Sequence, residues 1–284
     1  MDFTSRPRAA KPIVCAEATL ARHVLNVHSV RPIPDFEGFE RLLAEPCPWV
    51  GGFDFPFGLP HALVAQLGWP LDWRGCIARL ARLGREEFRA VLDIVRVARP
   101  AGAKYLHRAT DVPAGSSSPM KLVNPPVALM LFEGAPRLAR SGATVFPCRA
   151  GDPGRVALEA YPGMLARSIT RRSYKADEKA KQTPARRHAR RCIVHALVTE
   201  ARARLGFSIS LPEAVRRAAL ADGGGDVLDA ILCAALAAWG CLRRRRRYGM
   251  PEHADSLEGW IVGAGEIGCR AQMPIGDRPK SHAA

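Results

Sequence analysis

The stretch Trp49–Pro60, WVGGFDFPFGLP, places one acid, Asp54, inside a run of aromatic, aliphatic and glycine residues. Such a run is typical of a buried strand and its exit turn. Burying an unpaired carboxylate is so costly that the fold must offer it a partner, a metal ion or a proton, or leave it facing a cleft. A buried arginine and a metal ion are both open as partners of Asp54 on the residues alone.

The composition is that of a globular protein. Its 284 residues, 48% hydrophobic and 24% charged, suffice for one large domain or two small ones. No apolar run approaches the roughly 18 to 20 residues of a membrane helix, and the N-terminus lacks a signal-peptide pattern, so we expect a cytoplasmic protein without membrane contact. The eight cysteines are scattered without zinc-site spacing and indicate buried thiols in a reducing compartment.

The charge is strongly positive, at +15 with a pI near 10.1. A basic field attracts phosphate backbones, so the charge favours nucleic acid, DNA or RNA, as partner. Lysine accounts for only seven of the 42 basic residues, and a GC-rich genome would also favour arginine. A solvated basic surface is therefore the alternative. The oligomeric state is left open.

The segments before Asp54 predict two strands and a helix. KPIVCAEA (11–18) and HVLNVHSV (23–30) carry β-branched residues in partial alternation. DFEGFERLLAEP begins at Asp35, a favourable N-cap, and stops before Pro46. Two strands, a helix and the Asp54 strand together predict an α/β fold with a mixed central sheet.

The segments after Asp54 predict a helical insertion and a return to the sheet. Residues 61–99 have helical spacing, and residues 100–126 form a long loop rich in Pro, Gly and Ser, so 61–126 is the insertion. GATVFPC (142–148) and RVALEAYPG (155–163) return to strand character. Helices follow from about Thr183 and after the DGGGD turn (222–226). We expect a single domain over 1–268 and a disordered tail over 269–284.

Acids stand against an apolar background at four places along the chain. These acids are Asp2, Asp54, Glu159, and the pair Asp226 and Asp229, whose three-residue spacing puts them on one helix face. Acids at strand ends plus one on a packed helix form the arrangement that holds two hard cations, Mg²⁺ or Mn²⁺. Taken singly, Asp226 is better explained as a helix N-cap or dipole partner.

Five motifs carry a resemblance that covers nearly the whole chain, to about EGWIVG at 258–263. They are MDFTSRPRAAKPI, GGFDFPFGLP, EAYPG, RRSYKADEKAKQTPARRHARR and DVLDAILCAALAA. In order and spacing they resemble the successive motifs of an uncharacterised family of predicted ribonuclease H-like nucleases, domain of unknown function 429. The resemblance implies a ribonuclease H-like mixed sheet flanked by helices, with Asp2 near Asp54, Glu159 and Asp229.

The start of the chain departs from that family. Related chains have a full apolar strand before the Asp-Phe-Thr-Ser motif, whereas here only Met1 precedes Asp2. We expect so short a strand to fray and an α-amino charge to lie beside an acid meant for metal. The expectation is that the true start lies upstream or that this copy of the site is weakened.

Basic and aromatic residues near the SYK motif are candidates for nucleic-acid contact. Tyr174 would stack on a base and Lys175 would bind a phosphate. Arg186, Arg187, Arg190 and Arg191 group at helical spacing and either track a phosphate backbone or form a solvated face. HRATD, His107 to Asp111, lies in the long loop, where a structural role is the commoner one.

Together these features predict a metal-dependent nuclease that hydrolyses phosphodiester bonds of DNA or RNA with two ions. Its catalytic acids would be Asp2, Asp54, Glu159 and Asp229, and Asp226 would join them as a metal ligand. One alternative is a non-catalytic nucleic-acid-binding protein on the same fold. A further one is a phosphotransferase of the actin-like or sugar-kinase type, which shares this fold and also places acids around Mg²⁺.

Overall fold

The protein is a mixed α/β structure in which small sheets are flanked by helices. The computed structural model describes residues 1–46 and 48–267, so the predicted tail at 269–284 lies outside the described residues. The strands in the described part are β1 (Ile13–Ala21), β2 (Val24–Ile33), β3 (Trp49–Phe53), β4 (Ala143–Phe146), β5 (Asp152–Glu159) and β6 (Ser208–Ser210).

The helices of the described part lie between these strands and after the last of them. They are α1 (Phe36–Leu43), α2 (His61–Gln66), α3 (Trp73–Ala81), α4 (Arg85–Val97), α5 (Asp111–Ala114), α6 (Val127–Arg140), α7 (Pro162–Ile169), α8 (Pro184–Thr199), α9 (Ala201–Leu205), α10 (Glu213–Ala221) and α11 (Asp226–Leu242).

The strands form two three-stranded sheets, in the orders β1-β2-β6 and β3-β5-β4. In the first, β1 and β2 are antiparallel and β6 is parallel to β2. In the second, both β3 and β4 run parallel to β5. The predicted mixture of parallel and antiparallel pairing is present.

Residues 1–3 connect the two sheets. Asp2 exchanges backbone hydrogen bonds with Val14 of β1, at 2.8 and 3.0 Å, as an antiparallel pair. On its other side, the Met1 nitrogen donates to the Gly52 carbonyl at 2.7 Å, and the Asp54 amide donates to the Met1 carbonyl at 3.1 Å. Met1 is thus bonded to both neighbours of Phe53, which is the hydrogen-bonding pattern of two parallel strands. The segment expected to fray is therefore hydrogen-bonded on both edges and buried.

Helices cover both faces of the joined sheet. Val156 and Leu158 of β5 belong to an apolar cluster with α7, α8, α10 and α11, whereas Ala157 belongs to a second cluster with α1 to α4 and α6. Alternate residues of a strand point to opposite faces, so the two clusters are two separate layers of core.

The element predictions before residue 100 are confirmed, whereas three helices after it, α6, α7 and α10, and the short strand β6 were not predicted. The Asp35 side chain accepts from the Gly38 amide at 2.7 Å and caps α1, as predicted. The helical pattern of 61–99 is α2, α3 and α4. The loop at 100–126 contains the short helix α5. Helix α6 follows this loop and carries Pro136 in its interior, and it was not predicted.

Helix α11 lies close against β3 because glycine permits the contact. A Cβ on Gly52 would stand 2.4 Å from the Cys233 carbonyl oxygen, so any larger residue would force the helix away from the strand. The helix begins after Gly225, whose φ of 83° lies in the left-handed region that glycine tolerates. The predicted glycine turn thus places the first turn of α11 next to the end of β3.

Candidate metal centre

Three of the predicted acids meet at one point. Asp2 comes from the segment that joins the sheets, Asp54 follows β3 directly, and Asp229 lies in the first turn of α11. Each offers a carboxylate oxygen, and these oxygens all lie within 4.8 Å of one another. We call these three residues the acid triad. Residues far apart in sequence therefore form one group of hard oxygen ligands.

The backbone explains why the triad converges. Met1 is hydrogen-bonded to Gly52 and Asp54, so Asp2 and Asp54 leave neighbouring strands at the same end of the sheet. The contact between Gly52 and Cys233 then brings the start of α11 over that end. Asp229 is fully buried there.

Two triad members have no partner to compensate their burial. The Asp2 and Asp54 carboxylates accept no hydrogen bond and form no ion pair within residues 1–46 and 48–267, although Asp2 is buried and Asp54 half-buried. Burial raises the pKa of Asp54 to about 7, with Lys175 opposing and Asp229 adding to the shift. Burial, followed by the charges of Asp229 and Asp226, also raises the pKa of Asp2 well above its ordinary value. Asp54 therefore faces other acids at the edge of a cleft.

Lys175 and Tyr174 contact the third member of the triad. The Lys175 ammonium forms an ion pair with Asp229 Oδ2, and the Tyr174 hydroxyl donates to Asp229 Oδ1 at 2.5 Å. Burial is the largest single influence and disfavours the Lys175 charge, but Asp229, Tyr174, Asp2 and Asp54 together outweigh it, so the pKa of Lys175 is raised. Tyr174 is 8% exposed. Its ring is therefore not free to stack on a base, which corrects the role predicted for it.

Glu159 lies in the same cleft but outside the triad, because a buried arginine binds it. Arg108 donates to its two carboxylate oxygens at 2.6 and 2.8 Å, and the Phe57 amide donates to Oε2 at 2.9 Å. Arg108 also pairs with Asp111, and its side chain is 1% exposed. Arg108 and Asp111 are both in the HRATD motif, whose role here is structural. The arginine partner considered for Asp54 thus belongs to Glu159, and the predicted metal-ligand role of Glu159 is corrected to that of an ion-pair partner.

Asp226 is also outside the triad. The Lys11 ammonium lies 2.8 and 2.9 Å from its two carboxylate oxygens and 2.9 Å from Asp177. Asp226 stands at the first position of α11, where its charge favours the helix dipole. The alternative explanation of this residue as a helix-terminal acid fits the structure better than the ligand role.

The four arginines of α8 do not act as one group. Arg190 is 4% exposed and donates to the carbonyls of Tyr174 and Leu220, so its predicted phosphate contact is corrected to a structural one. Arg186 bonds to Ser173 and to the Lys181 carbonyl. Arg187 and Arg191 are exposed one turn apart. None of the four lines the cleft around the triad.

Other basic residues line that cleft, which has a volume of about 740 Å³. They are Lys11, Arg108, Arg167, Arg171, Arg172 and Lys175. Sequence reasoning missed Lys11, Arg167, Arg171 and Arg172. For two of them a signal existed, since Arg171 and Arg172 directly precede the Ser-Tyr-Lys motif that supplies Lys175. The cleft joins carboxylates at its base to cations on its walls, an arrangement suited to a cation and a polyanion together.

In comparisons with known proteins, no family model, no curated protein and no solved structure matches this chain. Within residues 1–46 and 48–267, no helix has the length and hydropathy of a membrane span. Functional conclusions therefore rest on the geometry of the acid triad and its cleft.

Proposed function

We propose that the protein is a divalent-metal-dependent nuclease that hydrolyses phosphodiester bonds of DNA or RNA. The observation that carries the proposal is the acid triad. Its oxygens lie within 4.8 Å of one another, and two of its members have no hydrogen-bond or ion-pair partner among the described residues. Buried acids of like charge without cations are unfavourable, and a divalent ion removes that penalty.

The triad fits Mg²⁺ or Mn²⁺ by donor chemistry. Carboxylate oxygens are the ligands of these ions, and Mg²⁺ in such sites keeps several waters beside one or two carboxylates and substrate phosphates. Adjacent ligands of an octahedral Mg²⁺ lie about 3 Å apart at bond lengths of 2.0–2.1 Å, so small side-chain rotations of Asp2 and Asp54 would close the triad. When bound, the metal supplies Lewis acidity and lowers the pKa of a coordinated water.

The residues around the triad have separate tasks in this proposal. Asp2, Asp54 and Asp229 hold the cation, and Tyr174 fixes the rotamer of Asp229 through its hydroxyl. Lys175, with a side chain that is 45% exposed, reaches from the triad into the cleft and would contact a phosphate oxygen. Arg167, Arg171 and Arg172 would bind neighbouring phosphates on the cleft wall. The net charge of +15 favours the same polyanionic substrate.

Two ions remain the prediction for the active complex. The triad offers enough carboxylates for one ion. A second would need the substrate's own oxygens, or Asp226 after its separation from Lys11.

The strand arrangement supports the proposed kinship with the ribonuclease H-like family, domain of unknown function 429. Hydrogen bonds give the continuous order β4-β5-β3, residues 1–3, β1-β2-β6, with the first segment of the chain in the centre. A central first strand, two antiparallel strands on one side and a parallel strand on the other agree with the ribonuclease H-like sheet that the motifs imply. The acid of that central strand then lies beside the acid after β3.

A non-catalytic nucleic-acid-binding protein is the second candidate, and one observation favours it. The Lys175 ammonium already neutralises Asp229, so the cluster is partly compensated without metal. In that case Mn²⁺ would not bind at micromolar concentrations, and nucleic acid would bind with a salt-dependent affinity alone.

The deciding experiment is a cleavage assay on single-stranded, duplex, hybrid and branched substrates with Mn²⁺ and with Mg²⁺. Asp54→Asn keeps the shape and removes one ligand charge, so we expect activity to fall at least about 100-fold. Asp93→Asn is the matched control, because Asp93 pairs with Arg96 on α4 at the surface. Salt-sensitive binding without metal-dependent cleavage of any substrate would establish the second candidate instead.

A further inference from the structure

One part of the cleft around the acid triad is apolar and has no task in the proposed hydrolysis. It consists of Pro125 and Pro126, which precede α6, and of Val127 and Met130 in the first turn of that helix. We call these four residues the apolar wall. Pro125 is exposed and the other three are half-buried, so part of their surface faces the cleft.

The packing of α6 places the apolar wall beside the triad. A Cβ on Gly134 would stand 2.5 Å from the ring of Phe55, so α6 lies directly against the residue that follows Asp54. Met130 and Val127 precede Gly134 by four and seven residues and therefore share its helix face. At 1.5 Å per residue they lie about 6 Å and about 10.5 Å from Gly134 along the helix axis. The apolar wall thus extends from the acid end of β3 into the cleft.

The cations of the cleft come from a different segment of the chain. Arg171, Arg172 and Lys175 follow α7 and line the same cleft, and the Lys175 ammonium contacts Asp229 of the triad. A ligand that uses the whole cleft must therefore carry anionic groups for this segment and an apolar face for the other. A nucleotide combines the two, because its phosphate is anionic and its base has a π-face. An acidic peptide or a polyphosphate supplies the anionic groups without that face.

We propose that the apolar wall binds an unpaired nucleobase next to the phosphate held at the triad, so that the substrate is single-stranded nucleic acid. This inference rests on the proposed nuclease function and names its substrate class. A base inside a duplex is stacked on its neighbours and does not offer its face to side chains. Tyr174, the residue that the sequence suggested for stacking, is buried against Asp229. The apolar wall provides the base contact that this ring does not.

The lining also offers polar groups for the edge of such a base. Asn124 directly precedes the apolar wall, lines the cleft and is exposed. Its side-chain amide carries both donors and an acceptor, and the half-buried hydroxyl of Ser117 lines the same cleft. Unpaired bases are recognised in this way, by contact with their face and by hydrogen bonds to their Watson–Crick edge. In a duplex the partner strand already occupies that edge.

The test is the binding of fluorescein-labelled oligonucleotides to the full chain in EDTA, followed by anisotropy. The probes are a single strand of about 12 nucleotides and the same strand in a duplex, each as DNA and as RNA, and a DNA strand of equal length in which every residue is abasic. We expect the single strand to bind at least about tenfold more tightly than the duplex and the abasic strand. Binding through phosphates alone would favour the duplex, because its charge density is higher.

A double variant assigns the base contact to the apolar wall. Val127→Thr with Met130→Gln keeps the side-chain sizes and removes apolar surface, so affinity for the single strand should fall at least about fivefold. Affinity for the abasic strand should stay within about twofold of the parent. Ile94→Gln with Val97→Thr is the matched control, because these residues have the same spacing on α4, are 70% and 75% exposed and lie outside the cleft. The control should change neither affinity, and urea unfolding verifies that both variants fold.

Three results would overturn the proposal. One is a duplex that binds as tightly as the single strand, and another is equal affinity for the abasic strand, since phosphates alone would then hold the ligand. The third is an unchanged affinity in the variant of the apolar wall, which would place the base elsewhere.

The same probes with Mn²⁺ test the proposed function separately. A single-strand preference that depends on the apolar wall, without cleavage, would contradict the nuclease function and support the base contact. Cleavage of duplex and single strand at equal rates would overturn the base contact and support the nuclease function. Absence of binding to every probe would overturn both.

Discussion

The ammonium group of Lys175 is bonded to a carboxylate, Asp229, that is fully buried, while the Lys175 side chain itself is 45% exposed. The lysine therefore supplies positive charge to the acid triad from the cleft. In the proposed nuclease, the exposed Lys175 side chain would move away from Asp229 when a divalent cation binds, and its ammonium group would then contact a phosphate of the substrate. Metal binding and substrate binding would therefore be coupled through this one side chain.

Replacement of Lys175 tests that coupling. In Lys175→Met the competing cation is lost and the stem is kept, so we expect Mn²⁺ affinity to rise about tenfold, or about 1.4 kcal/mol, by calorimetry. Affinity for a phosphodiester substrate should fall in the same variant. Lys181→Met, at a surface lysine paired with Glu178, should change neither. Weaker Mn²⁺ binding in Lys175→Met would mean that the lysine orders the carboxylates instead of competing with the metal.

The stability of the metal-free protein should depend on pH through Asp54. Its pKa is about 7 in the folded protein and 3.8 ordinarily, so between pH 4 and 7 the folded state holds a proton that the unfolded state has released. The free energy of unfolding therefore falls as pH rises through this range, by at most about 4 kcal/mol from this group. Asp54→Asn removes the effect, so in chelator it should be more stable than the parent at pH 8 and nearly equal to it at pH 4. Urea unfolding at both values measures this, and a large loss of stability at pH 8 would show that Asp54 has a cationic partner.

Metal affinity should rise with pH. Because the pKa values of Asp54 and Asp2 are raised, a cation that binds their carboxylates below pH 7 must displace protons. We expect Mn²⁺ affinity to increase about tenfold per pH unit for each proton released, up to about pH 7. Calorimetry at pH 6 in buffers of different ionisation enthalpy counts those protons. An affinity independent of pH would place the ion away from these two acids.

Arg108 and Glu159 should matter for folding more than for metal binding. Arg108→Met leaves Glu159 and Asp111 buried without their cation and should cost about 3 to 5 kcal/mol in urea unfolding. Arg96→Met, which breaks the exposed pair with Asp93, should cost no more than about 1 kcal/mol. Glu159→Gln should lower stability yet keep Mn²⁺ affinity within a few-fold of the parent. A loss of Mn²⁺ binding as large as that of Asp54→Asn would return Glu159 to the ligand set.

Substitutions in two pairs of arginines test whether nucleic acid binds in the cleft or along the exposed face of α8. Replacing Arg171 and Arg172 with glutamine should lower the slope of log affinity against log salt by up to about two units. Replacing Arg187 and Arg191 is the matched control, because both are exposed on α8 and outside the cleft. A larger change in the control pair would place the phosphate backbone along α8, as the sequence first suggested.

Local sequence determined the elements that lead to the site. Alternating β-branched residues predicted β1 and β2, Asp35 predicted the start of α1, and the glycine turn before Asp226 predicted the start of α11. These features depend on neighbours within a few residues, through side-chain periodicity and capping. The prediction that Asp54 follows a buried strand and shares a cleft with Asp2 and Asp229 also came from the sequence, with the help of the family resemblance.

Tertiary structure alone decided which acids are open to a cation. In the sequence Glu159 and Asp54 both stand at the end of an apolar strand. Arg108 binds Glu159, whereas Asp54 has no ion-pair partner in the part of the chain that the structure describes. Asp226 and Asp229 lie three residues apart, but Lys11 binds the first and the triad includes the second. These partners are separated from their acids by 51 and 215 residues, and no local pattern encodes such contacts. The fold brings each cation to its acid. Because the acids are removed from water, these contacts then determine the charge and the pKa of each acid.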